Sequence, residues 1–519
     1  MTSTSFGNHD SSKAITTDVV VVGGGGSGLA AAIEAASLGR RVVLLEKAPQ
    51  LGGSTRMSVG SITATNTPQQ LRNGILDSPQ SHFEDLQLFN NPLNLKDNEK
   101  LSRMLVENVP ETIRWLMSMG VEFFGPMKEL PHRKPRMHVV IPNSRAYIYH
   151  LEKRAKQLGV VIKTSSPATG FIRSHERITG VHFQTDGIDF EVHAMGGVVL
   201  CSGDYSGDQF QRQRRLGEEM TLVTPVNANN TGDGQKMVEA IGGKVLNQHL
   251  FLAGIRFQAP PKNWLHNLPP YRWLTRCLRI MLENLPGTIV RPLVMGFLTT
   301  VLVPSSKLLQ AGAILVNKNG ERFVDELNSP GPGISLQPDQ MAFMVFDAKL
   351  ASKFSGWPNY VSTVPGFAYA SVDDYRKSRK DIFYEADTLE KLAHQMGVPP
   401  SALSGTVNAF NNDPARHASG RMSLDQGPYV AIGPVIYKIN FTDGGVAVSD
   451  DLEVLDSDGK AMAGLYAAGF TGMGGVLLEG HGHHLGWAFT SGRIAGRKAA
   501  NNVLTADLPE AMSAAPQSH

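Results

Sequence analysis

The sequence predicts an α/β protein in which a parallel-sheet domain, built from both ends of the chain, encloses an inserted α+β domain. Three patterns predict this architecture. Near the N-terminus, the apolar run 18–22, an alanine-rich helical stretch and the apolar run 41–45 form a βαβ unit. Strand and glycine character returns at 441–469, before a helical pattern at 485–501. The part between these segments is rich in proline and has few long strands.

The length of the chain supports a division into two domains. At 519 residues it is too long for one ordinary hydrophobic core. We assign residues 1–245 and 438–519 to the first domain, and residues 246–437 to a cap domain that covers a substrate site. Helical patterns at 97–119 and 144–158 belong to the first domain.

The composition is that of a globular protein and excludes several functions. A net charge of +2 gives no reason to expect nucleic-acid binding. The two cysteines, Cys201 and Cys277, have no metal or redox-pair spacing, so we expect reduced thiols and no metal. The polar N-terminus lacks the apolar core of a signal peptide, and no run reaches the roughly 18 apolar residues of a membrane span. We therefore expect a cytoplasmic protein.

The most specific motif joins the first strand to the first helix. Gly23, Gly25 and Gly28 form GxGxxG, in which the first glycine allows a tight turn and the second lets a pyrophosphate approach the backbone. The third glycine allows close helix–strand packing, and the N-terminus of the helix binds phosphate. Glu46 ends the second strand, where a carboxylate accepts hydrogen bonds from a ribose. These residues predict a Rossmann-like dinucleotide site.

A second glycine loop favours FAD over NAD. Gly53, Ser54 and Thr55 come just after the Glu46 strand, in a GG[ST] loop of the kind that contacts the pyrophosphate of flavoproteins. The predicted fold class is therefore a Rossmann-like FAD-binding domain with an inserted α+β cap domain.

Motifs along nearly the whole chain resemble one flavoprotein family, that of fumarate reductase, succinate dehydrogenase and the 3-ketosteroid dehydrogenases. Besides the N-terminal motif, the matching pieces are NTGDG at 230–234, GAILVNKNGERFVDE at 312–326, TDGGVAV at 442–448 and GLYAAG at 464–469. The resemblance implies a flavin domain from both ends of the chain and a cap over the flavin ring.

The resemblance also implies a set of FAD contacts that extends the glycine motif. Carried over by motif, these are Ser27, Gly28, Glu46, Lys47, Gly53, Ser54, Thr55, Ala168, Asp233, Gly469, Leu485 and Gly486. One position departs from the family, since Phe470 stands where Glu usually follows AAG.

Three further departures argue against a dicarboxylate substrate. Fumarate reductases of this family bind paired carboxylates with arginines and histidines. Here Phe441 replaces the histidine before the TxGG threonine, and His484 replaces the arginine of the last motif. The segment 327–334, LNSPGPGI, has none of the arginine expected after RFVDE. We therefore expect neither fumarate nor succinate as substrate.

Histidines occupy the last motif instead, in GHGHH at 480–484. The family places this loop beside the flavin ring, and histidine exchanges protons most readily near neutral pH. His481, His483 and His484 are therefore candidate proton carriers or carbonyl donors, although a histidine here could also bond only to backbone. Tyr205, after the strand ending at Cys201, is a second candidate, for which packing is the plainer interpretation.

Residues 264–309 combine arginines with apolar residues at helical spacing. Trp273, Leu274, Cys277, Leu278 and Met281 share one helical pattern, and an apolar run follows at 292–303. The pattern is typical of a peripheral membrane element, but equally of a cap helix that packs on the flavin domain. Either gives the active site an apolar entrance.

The predicted function is oxidation of a C–C bond beside a carbonyl, which converts a small apolar carbonyl compound of steroid or terpenoid type to an enone. The carbonyl stabilises the enolate-like charge that develops. An electron acceptor or donor is also required. Two alternatives remain open: the reverse reaction, reduction of an enone or alkene that is not a dicarboxylate, and a flavin-binding redox sensor without turnover.

Overall fold

An eight-stranded sheet forms the centre of the first domain. The structure is a computed structural model that describes residues 14–259, 267–286, 289, 295, 299, 302–364 and 368–503. The main path of the sheet runs through Glu453–Leu455, Ala461–Ala467, Ile188–Leu200, Ala14–Val22, Val42–Leu45 and Val161–Lys163, with Arg177–Thr185 and Ala168–Ser174 attached beside Ile188–Leu200.

The predicted βαβ unit is confirmed, and both ends of the chain meet at its helix. The strand Ala14–Val22 is parallel to Val42–Leu45, and the helix Gly26–Ser37 connects them. The C-terminal helix, His483–Asn501, packs closely against this helix. A Cβ at Gly496 would lie 2.2 Å from the carbonyl oxygen of Ala31, so only glycine allows the two backbones to approach this far. The C-terminus therefore completes the N-terminal fold.

The remaining α-helices of the described part belong either to the first domain or to the inserted part. In the first domain they are Gly53–Met57, Pro68–Arg72, Pro79–Asn90, Glu99–Ser118, Arg145–Gln157, Gln209–Leu216 and Asp233–Ala240. In the inserted part they are Arg272–Asn284, Ser306–Ala311, Gly331–Ser335, Ala348–Lys353, Val372–Ser378, Leu389–Met396, Pro400–Asn411 and Pro414–Ala418.

The inserted part has more regular strands than its sequence indicated. A six-stranded sheet is formed by Thr224–Pro225, Tyr429–Thr442, Met341–Phe346 and Ile314–Val316, with Phe251–Phe257 and Phe383–Ala386 also paired to Tyr429–Thr442. The expectation of few long strands was wrong for Tyr429–Thr442, which has 14 residues. Pro434 lies inside that strand, where the register with its neighbour is irregular. Such an irregularity accommodates a residue without an N–H donor.

Two separate hydrophobic cores correspond to the two predicted domains. The larger core contains residues from 19–245 and 446–500, and the second contains residues from 257–435. The predicted boundary at 437/438 falls within the strand Tyr429–Thr442, which continues from one part into the other. The predicted domains and their limits stay a prediction.

Three smaller sheets complete the described structure. The strands Ser61–Thr63, Met137–Ile141 and Glu122–Met127 form an antiparallel sheet beside the first domain. The other two pair Val245–Leu246 with Gly445–Val446, and Val303–Pro304 with Ser362–Val364 and Ala368–Ala370. The 61–141 sheet bears on function, because its loops supply partners for the histidine loop.

Candidate active site

The glycine motif forms a turn in which each glycine has a different environment. A Cβ at Gly23 would lie 2.2 Å from the Cys201 carbonyl oxygen, and one at Gly28 would lie 1.8 Å from the Gly23 carbonyl oxygen. Both positions are therefore fixed by backbone packing. Gly25, by contrast, has no atom within 4 Å of its Cβ position. Open space thus borders the N–H groups of the first helical turn, which have no intrahelical acceptor. A phosphate fits this place.

Polar side chains extend this cradle along the end of the sheet. Glu46 accepts the Gly24 N–H at 2.6 Å and the Ala48 N–H at 2.8 Å. Each of its oxygens keeps a second lone pair with which it could accept a ribose hydroxyl. Thr55 accepts the Gly26 N–H at 3.1 Å, which joins the GG[ST] loop to the first helix.

The other predicted FAD contacts lie around the same cradle. Ser54 Oγ accepts the amide groups of Asn227 at 3.0 Å and Asn230 at 2.8 Å. Lys47 Nζ forms an ion pair with Asp233 at 2.7 Å. These contacts bring the GG[ST] loop and the NTGDG motif together at the end of the sheet.

The remaining predicted contacts are placed by glycine packing and by helix position. A Cβ at Gly469 would lie 2.6 Å from Ser27 Oγ, so AAG contacts the first helix directly. Gly53 opens the helix Gly53–Met57, and Ala168 opens a strand that contacts the helix beginning at Asp233. Leu485 and Gly486 form the first turn of the C-terminal helix. The cradle as a whole is one expected of a flavin-dinucleotide protein, and its donors and open backbone fit FAD.

His484 forms a carboxylate pair next to two phenylalanines. Its Nε2 donates to Asp443 Oδ1 at 2.8 Å, and the side chains are 18% and 12% exposed. The ring centroid of His484 lies 4.4 Å from that of Phe441 and 5.3 Å from that of Phe470. Because the bond to Asp443 uses Nε2–H, Nδ1 carries the lone pair of the neutral ring. Asp443 thus leaves His484 a free basic nitrogen.

His481 forms a second carboxylate pair, with Glu129 from a loop of the 61–141 sheet. Its Nδ1 lies 2.5 Å from Glu129 Oε1, and its backbone N–H also donates to that oxygen, at 3.1 Å. The Glu129 side chain is 6% exposed, whereas that of His481 is 44% exposed. The buried carboxylate therefore fixes the orientation of a half-open imidazole. Thr63 fixes the same loop by donating to the His481 carbonyl oxygen at 2.6 Å.

His483 lies in a different environment, fully buried among other rings. Its Nδ1 donates to the Glu479 carbonyl oxygen at 2.7 Å, and its Nε2 lies 3.1 Å from His82 Nε2. His132 packs beside both rings, with centroid distances of 5.6 Å to His82 and 5.4 Å to His483. Burial lowers the pKa of His483 to about 4, of His132 to about 3, and of His82 well below its usual value. These three rings, which we call the buried histidine cluster, are neutral.

The hydrogen bonds of the buried histidine cluster assign its tautomers. Arg136 donates to His132 Nδ1 at 2.9 Å, so the proton of His132 lies on Nε2. His483 donates through Nδ1, so its Nε2 accepts the Nε2–H of His82. The ligating nitrogens of the three rings lie within 4.8 Å of one another, which is close enough for a metal ion. With its proton on Nε2, His132 has no free lone pair for a metal, and within the described residues His132 Nε2 and His82 Nδ1 are buried without a hydrogen-bond partner. The absence of a metal stays a prediction.

The buried Arg136 lies beside the buried histidine cluster, and two carboxylates neutralise its charge. It forms two hydrogen bonds with Asp77, at 2.7 and 2.8 Å, and an ion pair with Asp85. All three side chains are fully buried. Removal of either carboxylate would leave an uncompensated buried charge, so we expect this region to be destabilised when the pairing is broken.

Tyr205 contributes to packing. It is 1% exposed, and its hydroxyl donates to the Gln248 carbonyl oxygen at 2.5 Å. Its backbone N–H donates to Thr442 Oγ1 at 3.3 Å, and burial raises its pKa. A Cβ at Gly444 would lie 2.3 Å from the hydroxyl, so the tyrosine packs directly against the TDGG loop. The plainer of its two interpretations matches this position.

Two further carboxyl groups, those of Glu479 and Asp204, lie within range of the charge of Asp443. Burial raises the pKa of Glu479, with Asp443 adding to the rise. Burial likewise raises the pKa of Asp204 to about 6, and Asp204 accepts the Asn230 amide at 2.7 Å. Acidic groups with raised pKa values near a partly exposed histidine are a frequent mark of a functional site.

The positions at which the sequence predicted the loss of dicarboxylate contacts carry aromatic rings or lack arginine. Phe441 and Phe470 are in contact, with ring centroids 5.0 Å apart, and both contact His484. The segment 327–334 contains no arginine, and a Cβ at its Gly331 would lie 2.2 Å from the Tyr437 ring. The geometry therefore offers an aromatic wall where a dicarboxylate would need cations.

The 264–309 segment is described in part and packs on the 61–141 sheet. The predicted helix is present as Arg272–Asn284, which contacts Glu122–Met127 and Met137–Ile141. Most of the apolar run at 292–303 lies outside the described residues, but Met295 and Leu302 belong to the second core. One face of the segment thus packs on the protein. Among the described residues, no helix has the length and apolar character to cross a membrane.

Comparison with known proteins identifies the family. The model of the FAD binding domain family matches residues 18–267 and 296–478, which is most of the chain. The protein belongs to this family of FAD-binding flavoproteins, and its cofactor is FAD.

Similar proteins extend over nearly the whole chain. A probable fumarate reductase of Shewanella frigidimarina is 27% identical, over 94% of this chain and 76% of its own length. The vinyl phenol reductase of Lactiplantibacillus plantarum is 25% identical, over 93% of this chain and 96% of its own. The open conformation of a flavocytochrome c3 fumarate reductase matches with a TM-score of 0.71 and 26% identity, over 94% of this chain and 79% of that structure.

A ketosteroid dehydrogenase shares the fold. The 3-ketosteroid Δ1-dehydrogenase of Sterolibacterium denitrificans matches with a TM-score of 0.63 and 19% identity, over 94% of this chain and 99% of that structure. The predicted fold class and family are confirmed. The protein is an FAD-dependent oxidoreductase that acts on carbon–carbon bonds.

The sequence did not reveal the partners of the three histidines. Glu129 lies 352 residues from His481, and His82 lies 401 residues from His483, so no local pattern connects them. Asp443 could have been noticed in the sequence, because it belongs to the TDGG motif. Its contact with His484 could not be predicted, since the two residues are 41 positions apart. The assigned FAD and catalytic roles stay proposals.

Proposed function

We propose that the enzyme dehydrogenates an apolar carbonyl compound at the C–C bond beside the carbonyl, with His484 as the proton carrier. The observation that carries this proposal is the His484–Asp443 pair against Phe441 and Phe470. It combines an oriented, partly exposed base with an apolar wall, at positions where the family binds a dicarboxylate.

The residues divide the chemistry between them. FAD, when bound, supplies the acceptor for the hydride that leaves the β-carbon. His484 Nδ1 takes the proton from the α-carbon, while Asp443 holds the ring and stabilises the imidazolium that forms. His481, held through Nδ1 by Glu129, would present its Nε2 side to the substrate carbonyl and stabilise the negative charge that develops there. The C=C bond would form as the two C–H bonds break: the hydride carries away two electrons with one hydrogen, and His484 would take the other hydrogen as a proton.

An apolar substrate follows from the surroundings of His484. Phe441 and Phe470 offer ring surface to a hydrocarbon skeleton, and burial of apolar area supplies binding energy. Closure over such a substrate also removes water from the pair, which strengthens the interaction between His484 and Asp443. A steroid or terpenoid ketone has both the carbonyl and the apolar skeleton that this site requires.

Reduction of an activated C=C bond is the second candidate, and the similar proteins favour it. The relatives with 25–27% identity over most of the chain are named fumarate reductase and vinyl phenol reductase. In that direction His484 would deliver a proton instead of removing one. The apolar wall then favours an alkene without a second carboxylate.

Anaerobic titration distinguishes these candidates. The oxidised, FAD-loaded protein is mixed with a panel of steroid and terpenoid ketones, and the flavin absorbance is followed. Bleaching by a ketone supports the dehydrogenase. If the oxidised protein is never bleached, but the reduced protein is reoxidised by an enone from the same panel, the reductase is correct. A flavin that responds to neither set would identify a redox sensor and contradict catalysis.

Fumarate provides a separate test of the site. We expect neither tight binding nor turnover with reduced dye, because each lost charge-assisted contact costs on the order of 1.5–3 kcal/mol. The double variant F441H/H484R, which restores the charged groups, should bind fumarate more tightly than the wild type. Fumarate reduction by the wild type at ordinary enzymatic rates would contradict the assignment of Phe441 and His484 to the substrate site.

A further inference from the structure

One face of the helix Arg272–Asn284 carries a stripe of side chains that are exposed to solvent. Trp273, Arg276, Cys277 and Ile280 follow one another at helical spacing, and all four are exposed, Trp273 by 68% and Ile280 by 48%. Arg272 is exposed beside them. The stripe continues past both ends of the helix through Tyr271, Leu285 and Ile289, which are also exposed.

The opposite face of this helix is fixed to the protein. Thr275 is 1% exposed, and the helix contacts the strands Glu122–Met127 and Met137–Ile141. Arg279 donates to Glu122 at 2.8 Å and to Glu283 at 2.7 Å, so its charge is neutralised. The stripe is therefore held in a fixed orientation, facing away from the sheet that anchors it.

The charges of the stripe are of one sign. Arg272 and Arg276 form no ion pair with any other residue in the described parts of the chain. Glu283, the acid of this helix, is paired with Arg279. The whole chain has a net charge of only +2, so attraction to an anionic surface would have to come from a local cluster such as this one.

We propose that this stripe, with Tyr271, Arg272, Leu285 and Ile289, is a docking surface for an anionic lipid bilayer. Large apolar and aromatic side chains insert at the level of the headgroups, while arginines extend their charge to the phosphates. In a symmetric dimer formed through the same stripe, by contrast, arginines would face arginines. The mixture of Trp, Ile and Arg on one exposed line thus fits a lipid surface better than a second copy of the chain.

Lipid binding does not depend on turnover, so it can be tested apart from the proposed reaction. The FAD-loaded full-length protein is sedimented with vesicles of phosphatidylcholine alone and with vesicles that contain about 30% phosphatidylglycerol. We expect binding to the anionic vesicles at low salt and weaker binding as salt screens the arginines.

Two pairs of variants identify the surface. R272E/R276E should bind the anionic vesicles at least about 25-fold more weakly, since each basic residue near a charged membrane contributes about five-fold. The matched control is R173E/R214E, which changes the net charge equally at two exposed arginines elsewhere. W273S should bind about ten-fold more weakly. Its control is W357S, because Trp357 is 86% exposed but lies outside this stripe.

The outcomes are distinguishable. Loss of vesicle binding in R272E/R276E and W273S, with both controls and the FAD content unchanged, supports the proposal. It is overturned if the wild type ignores anionic vesicles at low salt, or if the control pair loses binding equally. A dimer in solution that W273S dissociates, together with no vesicle binding, would assign the stripe to a second copy of the chain.

Discussion

His483 and His484 are neighbours in the chain but lie in opposite surroundings. His484 is partly exposed, bonded to Asp443 and in contact with two phenylalanines. His483 is fully buried, bonded to a backbone carbonyl and to His82, and its pKa is lowered to about 4. One residue along the first turn of the C-terminal helix therefore separates a candidate base from a neutral packing group.

The difference shows that residue type alone does not make a proton carrier. A histidine needs a partner for its charged form and access to the substrate, and His483 has neither. His481 resembles His484, since each pairs with a carboxylate and remains partly open. The two residues at the ends of HGHH thus stay the candidate proton carriers, and the buried one bonds within the protein.

The largest expected effect follows from removing the basic nitrogen of His484. H484Q should lower the rate of flavin reduction by the best substrate about 10²–10⁴-fold, the usual contribution of a general base. FAD content should stay normal, because backbone groups hold the pyrophosphate. Stopped-flow absorbance under anaerobic conditions measures the rate.

His483 is the matched control for this experiment. H483Q should reduce flavin at nearly the wild-type rate but lower the free energy of unfolding, on the order of 1–3 kcal/mol, because His82 loses a buried partner. If H483Q loses as much rate as H484Q while its stability is unchanged, the distinction between the two histidines is wrong.

For each group taken singly, a smaller effect is expected from pH on stability. His82, His132, His138 and His483 all have pKa values lowered by burial, with His138 at about 4. Between pH 6.5 and about 4 the unfolded chain binds protons that the folded chain does not, so the free energy of unfolding falls as pH falls. Each such group contributes up to about 1.4 kcal/mol per pH unit. Asp204 acts in the opposite sense, because its pKa is raised to about 6.

Denaturant unfolding of the FAD-loaded protein at several pH values between 7 and 5 measures this slope. H82L should reduce the slope by about the contribution of one histidine. Replacement of the exposed His175 should leave the slope unchanged. Equal stability at pH 7 and pH 5 would mean that the buried histidine cluster takes up protons in the folded state.

The smallest effect concerns the partner of His481. E129Q keeps an acceptor for Nδ1–H but removes the charge, and the difference between charge-assisted and neutral hydrogen bonds corresponds to about ten-fold in rate. A normal rate would leave Glu129 a structural role. E129D, which retains the charge, should recover part of the rate.

The sequence predicted the features that depend on local pattern. The glycines of GxGxxG, the βαβ unit and the C-terminal helix were all predictable, because turn geometry and apolar periodicity act over a few residues. The cap sheet was less predictable, since Pro434 lies in the strand Tyr429–Thr442, and a proline ordinarily argues against a central strand.

By itself the sequence determined that this chain binds FAD and that its last motif carries three histidines, in GHGHH. It could not determine which of these histidines pair with a carboxylate and which is buried. The tertiary structure decided that, because Glu129, Asp443 and His82 reach the loop across 352, 41 and 401 residues. Burial and charge pairing, which set the protonation of an imidazole, depend on such distant contacts and leave no trace in the spacing of GHGHH.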